Sequence, residues 1–437
     1  MTHSKKGARF FIALVIFSLT GQIAWVVENM YFNVFIYKMF AASAEAISLM
    51  VAASAVSATV TTVIIGALSD KIGKRKLFIC GGYILWGISI CSFALIRLDV
   101  IDALFPSVAS AASVGVALVI IMDCVMTFFG SSANDACFNA WLTDSTASGG
   151  RGAAEGINSM MPLVAILVVF GGFMSFNLDK RESWTTIFLI IGIAVLVIGV
   201  LGIFLISDPS VKNEQNKSCF KNIIYGFRPS VVKSNKTLYI SLLAFALFNI
   251  SIQIFMPYLI IYYNVSLKMD DYVLIMAPAI IIASVITALY GRFYDKKGFK
   301  TAVIPSLSVL MIGYVILYLF KSTLLVFVGS LLMMSGYLAS MAVFGALIRD
   351  YTPQNRAGMF QGLRIFSQVL IPGVIGPFIG SAVLKGAETI VNDDGTSSFV
   401  PNENIFLAAF LAAAVVWAVL FVIFRLMKKE VKTSEKQ

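Results

Sequence analysis

Gly66-Ala-Leu-Ser-Asp70-Lys-Ile-Gly73-Lys74-Arg75-Lys76 is a short polar turn between two long apolar runs. The stretch Gly291-Arg-Phe-Tyr-Asp295-Lys296-Lys297-Gly298-Phe-Lys300 echoes it, with Gly, then Asp four residues on, then a basic residue and Gly before a basic end. A second pair of loops also matches: Asp144-Ser-Thr-Ala-Ser-Gly-Gly-Arg151-Gly152 and Asp350-Tyr-Thr-Pro-Gln-Asn-Arg356-Ala-Gly358. Each of these leads into a proline-bearing helix, at Pro162 and Pro372. One such loop is a charged turn that fixes topology. Two matched loops at two matched places mean a chain built from a repeated unit.

Working outward from these turns, the apolar runs are long enough to cross a bilayer, which takes about 20 residues. Twelve are read, at 10–37, 46–68, 77–97, 111–141, 156–177, 185–206, 237–263, 271–291, 301–320, 324–348, 359–384 and 404–426. The fourth is too long for one untilted span. The first is too long, and too polar inside, for a secretory signal. The longest polar connection, 207–236, follows the sixth span. The expected architecture is an all-α polytopic membrane protein of twelve transmembrane helices in two pseudo-symmetric six-helix bundles. Residues 1–206 form the first bundle, 207–236 a cytoplasmic linker, and 237–437 the second bundle with a short cytoplasmic tail.

Composition narrows the function classes. Of 437 residues, 59% are hydrophobic and 13% charged, against about 25% charged in a soluble domain. That excludes an ordinary soluble enzyme and a disordered chain. The five cysteines and the single His3 lack any metal-ligand spacing, and no nucleophile–base constellation is present. We therefore expect no metal, no cofactor and no enzymatic activity. The net charge of +10 is spread over short loops rather than gathered in a nucleic-acid groove. With the N-terminus assigned to the cytoplasm, 26 Lys and Arg residues fall inside and seven outside. By the positive-inside rule both termini are then cytoplasmic.

The stretch 66–76 resembles the loop 2–3 signature of the major facilitator superfamily, Gly-x-Leu-[Ser/Ala]-Asp-[Lys/Arg]-x-Gly-[Lys/Arg]-[Lys/Arg], at every position, and 291–300 is a degenerate copy. The resemblance implies halves related by an axis along the membrane normal, with substrate at the midplane and helices one, four, seven and ten lining the cavity. It also implies a gate. Gly66 and Gly73 would allow close backbone approach, and Asp70, beside Arg75, would pair near the start of helix eleven or with Arg151. Asp295 would mirror it near Arg356, with Arg364 on the same side.

Polar residues at membrane depth are functional candidates by default. On an ideal helix Gln22, Asn29 and Asn33 fall on one stripe, with Trp25 beside it and Glu28 on its flank. Amides, a carboxylate and an indole face suit a sugar-like ligand. Asn134 in helix four, Asn249 and Gln253 in helix seven and Gln368 in helix eleven extend the candidate binding set. A carboxylate in low dielectric is costly to keep charged and can exchange a proton, so Glu28, Asp123 and Asp135 are the candidates for coupling. Asp135 has a structural alternative, a pairing with Arg151 or Arg364.

Within the superfamily, Gly21-Gln22-x-x-Trp25 and Asn134-Asp135 running to Thr143-Asp144 resemble the glycoside–pentoside–hexuronide cation symporters and the sucrose-type proton symporters. Melibiose-type members carry helix-two acids for sodium, whereas span 46–68 has none, which favours protons. The resemblance thus implies proton-coupled symport of a saccharide. A bacterial plasma (inner) membrane and a monomer are expected beside it, the membrane because no targeting extension is read in the sequence. An exporter working by proton antiport is the competing expectation, supported by Gly373-Val-Ile-Gly376-Pro377-Phe-Ile-Gly380.

Overall fold

The computed structural model describes residues 2–104, 110–146, 151–208, 226–269, 271–352, 363–392 and 395–434. Among them, eleven helices are long and apolar enough to cross a membrane. They are α1 (Gly7–Phe40), α2 (Ala44–Ile72), α3 (Arg75–Leu95), α4 (Ala111–Ser145), α5 (Gly156–Phe173), α6 (Arg181–Leu205), α7 (Lys236–Ser266), the continuous run Tyr272–Leu319, α10 (Thr323–Tyr351), α11 (Leu363–Val383) and α12 (Asn404–Lys428). The run Tyr272–Leu319 is broken at Gly298, where φ 75° and ψ 172° are not helical. Its arms, 272–297 (α8) and 299–319 (α9), are two spans. The fold is therefore the all-helical, twelve-span one expected.

The chain clusters into two compact units. One comprises Met1–Lys217 with Ile390–Ser398, the other Ser218–Thr389 with Phe399–Gln437. The expected linker is not wholly irregular: a short helix, Pro229–Ser234, precedes α7. A two-stranded hairpin, β1 (Thr389–Val391) and β2 (Ser397–Phe399), joins α11 to α12. It is closed by Asn392, whose Nδ2 donates to Thr396 Oγ1 at 2.8 Å and Ser398 Oγ at 2.9 Å. No strand was expected there, because segments this short carry no readable periodicity.

Lipid offers no hydrophobic drive between helices, so the bundles close on small residues. In the first unit α3 meets α6 where Gly87 faces Gly192: a Cβ on Gly87 would sit 2.5 Å from the Gly192 carbonyl. In the second unit α11 presses on α7 at Gly376, where a Cβ would meet Gln253 Cβ at 2.5 Å, and at Gly380. Aromatic rings fill what remains. Phe32, Phe93, Phe35 and Phe188 interlock at 4.7–5.5 Å in the first unit. Phe245, Phe248 and Phe344 do so at 5.4–6.4 Å in the second.

Candidate functional site

In the first unit, the α2–α3 turn is organised by a buried cation. Arg75 opens α3 and is 5% exposed. It pairs with Asp70 at 2.6 Å and with Asp144, at the end of α4, at 3.0 Å. Its Nη1 also donates to Ser69 Oγ at 2.7 Å. The partner found for Asp70 is thus Arg75 from its own loop. The Arg151 side chain lies outside the described residues, as does Arg356. Gly73 ends α2 in the left-handed region, φ 69°. Gly66 has a different status from the one expected. A Cβ there would meet only the Ala136 methyl, at 3.9 Å, so close backbone approach does not require glycine at 66.

The second unit repeats the geometry with different chemistry. Gly298 takes the place of Gly73, also at positive φ. Asp350, the counterpart of Asp144, accepts from Tyr294 OH at 2.6 Å. The residue matching Arg75, Lys300, instead lies over the Phe424 ring at 5.6 Å. Asp295 is exposed. The copy lost its arginine, and a tyrosine from the preceding turn ties the loop to the end of α10.

Four of the spans widen locally. π-Helical turns run over Val27–Tyr31 in α1, Ser131–Phe138 in α4, Tyr262–Ser266 in α7 and Phe366–Leu370 in α11. Such turns hold an extra residue and often mark functional sites. The first of them covers Glu28 and Asn29 of the expected stripe on α1. Glu28 is buried and Asn29 is exposed. Asn29 Nδ2 donates to Trp25 O at 2.7 Å and Asn33 Nδ2 to Asn29 O at 3.0 Å, so one N–H of each amide is occupied by its own helix. Gln22 is half-buried.

Glu28 joins three helices. Ser54 Oγ of α2 and Thr127 Oγ1 of α4 both donate to Glu28 Oε1, at 2.7 and 2.9 Å. The two hydroxyls lie 2.9 Å apart. Asp123, one turn before Thr127, is 1% exposed. Asp135, half-buried, accepts from Ser131 Oγ at 3.0 Å and from Asn134 Nδ2 at 3.2 Å. Asn134 Oδ1 in turn accepts from Tyr83 OH at 3.0 Å, a hydroxyl also 2.8 Å from Phe17 O.

This network accounts for Gly21 and Trp25 of the Gly21-Gln22-x-x-Trp25 motif. A Cβ on Gly21 would sit 2.5 Å from Asn134 Oδ1 and 2.7 Å from Tyr83 OH. Trp25 packs on Trp86 at 4.9 Å, and a Cβ on Gly130 would strike both rings. Trp25 also lies within interaction reach of Asp135, although its Nε1 has no hydrogen-bond acceptor. Tyr83 and Trp86 of α3 and Ser54 of α2 were not anticipated. The aromatics sit one turn apart with polar tips, a readable cue; nothing distinguishes Ser54 from its neighbour Ser57.

In the second unit Asn249 is buried with Nδ2 donating to Phe245 O at 2.8 Å. Gln253 and Gln368 are half-buried. Arg364 is half-buried near the start of α11, with its Nε lacking an acceptor.

Residues 10–377 match the sequence model of the Major Facilitator Superfamily. The chain belongs to that superfamily. No curated protein sequence matches it. Solved major facilitator structures do. A mutant of the nucleoside transporter NupG aligns with a TM-score of 0.73 at 12% identity, over 94% of this chain and 99% of that one. A bacterial homologue of the human lysosomal transporter Spinster, inward-facing and unoccupied, gives 0.70 at 17%, over 96% and 97%. A D-xylose–proton symporter gives 0.67 at 14%, over 93% and 97%. At these identities the likeness establishes the fold.

Proposed function

We propose that this major facilitator transporter carries a sugar or glycoside by proton-coupled symport, through alternating access. The observation that carries the reading is the half-buried Trp25 indole packed on Trp86 beside the Asn134–Asp135 pair, with Gln22 on the same helix. An aromatic face adjoining amide and carboxylate acceptors is the chemistry that holds a hydroxylated ring. The nucleoside transporter and the xylose–proton symporter of like fold bind ligands of that kind by their names. Glu28, Asp123 and Asp135 are the proton-coupling candidates. Asn134, Gln253 and Gln368 retain side-chain atoms free of their own helix, and Asn29, Asn33 and Asn249 keep their carbonyl oxygens for a ligand.

The gate in this reading is the Asp70–Arg75–Asp144 cluster with its Tyr294–Asp350 counterpart. The protein resides in a bacterial plasma membrane as a monomer with both termini in the cytoplasm. The competing reading is proton-antiport export; the glycine run it draws on places Gly376 and Gly380 against α7.

The test is ligand-induced thermal shift of the purified protein across saccharides and amphipathic drugs, repeated on Trp25→Ala. A saccharide should stabilise the wild type, and the variant should need at least about tenfold more ligand, the equivalent of 1.4 kcal/mol. Stabilisation by amphipathic drugs alone would remove the sugar reading.

A further inference from the structure

The linker before α7 carries cations with no acid near them in sequence. Lys217, Lys221, Arg228, Lys233 and Lys236 lead into the span, and no Asp or Glu stands between Glu214 and Asp270. Lys233 and Lys236 are exposed, and among the described residues no ion pair involves either. Topology alone explains the presence of cytoplasmic lysines. It does not explain the surface on which these two stand.

Both line a cavity of about 410 Å³ whose wall is otherwise apolar or aromatic, including Phe227, Val232, Tyr239 and Ile240. The volume is that of a small-ligand site. Phe227 is 50% exposed. The segment is nevertheless docked. The Tyr239 hydroxyl donates to the Gly226 carbonyl, and Val231 is buried. The Phe227 ring packs edge-on against Phe366 at 5.3 Å, and a Cβ on Gly226 would meet Leu363 Cδ1 at 2.8 Å. Phe366 opens the π turn of α11 that carries Gln368.

Free phosphate would satisfy two ammonium groups but leave the apolar wall wet. A neutral lipid would cover that wall but leave the lysines unmatched. A ligand with an anionic head and a hydrocarbon tail answers both. We propose that the cavity binds one anionic phospholipid of the cytoplasmic leaflet, its phosphate on Lys233 and Lys236 and its upper chain against Phe227, Val232 and Ile240. The bound lipid braces Phe227 on Phe366 and so holds the entrance of α7 against α11. Which leaflet is used rests on the cytoplasmic placement of the linker proposed above. Retention of the lipid does not, and is measured in detergent without any sugar.

The experiment is native mass spectrometry of the full chain in detergent, titrated with phosphatidylglycerol, phosphatidylcholine or glycerol 3-phosphate, with thermal stability recorded alongside. Phosphatidylglycerol should be retained more tightly than phosphatidylcholine and should raise the melting temperature, and glycerol 3-phosphate should not displace it. Lys233→Gln and Lys236→Gln should each weaken its retention about fivefold, the equivalent of about 1 kcal/mol per basic group. Lys296→Gln/Lys297→Gln removes the same charge from another exposed turn and should leave retention unchanged. An equal loss in that control would mean diffuse attraction and overturn the site. Equal retention of phosphatidylcholine, or displacement by glycerol 3-phosphate, would overturn the anionic lipid as its occupant. Wild-type retention in Lys233→Gln/Lys236→Gln would overturn the proposal outright.

Discussion

Removing the Arg75 guanidinium should destabilise the first unit by about 2–4 kcal/mol, most of it lost through Asp144 rather than Asp70. Distance alone suggests the reverse, since Asp70 is the nearer at 2.6 Å and Asp144 lies at 3.0 Å. Solvent decides otherwise. Asp70 is 57% exposed, and an exposed pair contributes about 0–1 kcal/mol. Asp144 is 26% exposed and meets a guanidinium side chain only 7% exposed, where a charge-assisted bond contributes about 1.5–3 kcal/mol. The Ser69 bond, at 2.7 Å, adds about 1 kcal/mol. Returning Arg75 to no burial at all offsets part of that sum, because burying its charge is itself costly. The assay is a pair of double-mutant cycles, Arg75→Gln with Asp144→Asn and Arg75→Gln with Asp70→Asn, read by reversible unfolding in mixed micelles. The coupling energy should be about 1.5 kcal/mol or more for Asp144 and below about 1 kcal/mol for Asp70. A larger coupling for Asp70, or two couplings below about 0.3 kcal/mol, would refute the reasoning.

Two substitutions test the backbone and the close packing. Gly298 lies at φ 75° and ψ 172° with no atom near a Cβ, so Gly298→Ala should cost about 1–3 kcal/mol through the backbone alone. Gly73→Ala, at φ 69° and ψ 13°, should cost about 1–2 kcal/mol; thermal melts that reversed the order would contradict the geometry. Gly21→Ala forces a methyl against Asn134 and Tyr83 and should destabilise by about 1–3 kcal/mol. Adding Tyr83→Phe should recover part of that loss, and a melting temperature equal to wild type in Gly21→Ala would show that the helices do not approach as closely as described.

The two echoing loops were legible as sequence because their function is local. A turn this short fixes where Gly, Asp and the basic residues stand, and both Gly73 and Gly298 carry the positive φ that their matched positions imply. The acids at depth were legible for an equally simple reason: hydrophobic runs seldom contain Glu28, Asp123 or Asp135. Their surroundings were not legible. Counting at 100° per residue orders the residues of one helix, but it does not name the α2 and α4 hydroxyls, Ser54 and Thr127, that Glu28 meets.

The sequence by itself determined the membrane, the twelve spans and the twofold repeat, because each follows from hydrophobic length and from order along the chain. Only the tertiary structure decided which partners the polar groups have. Arg75 reaches Asp144, Glu28 reaches Ser54 and Thr127, and Gly21 makes room for Asn134. Those partners come from different helices, and in lipid helices are registered by the close fit of small residues and by hydrogen bonds sought across the bundle. That fit is a property of surfaces meeting in space, which no spacing along one helix encodes.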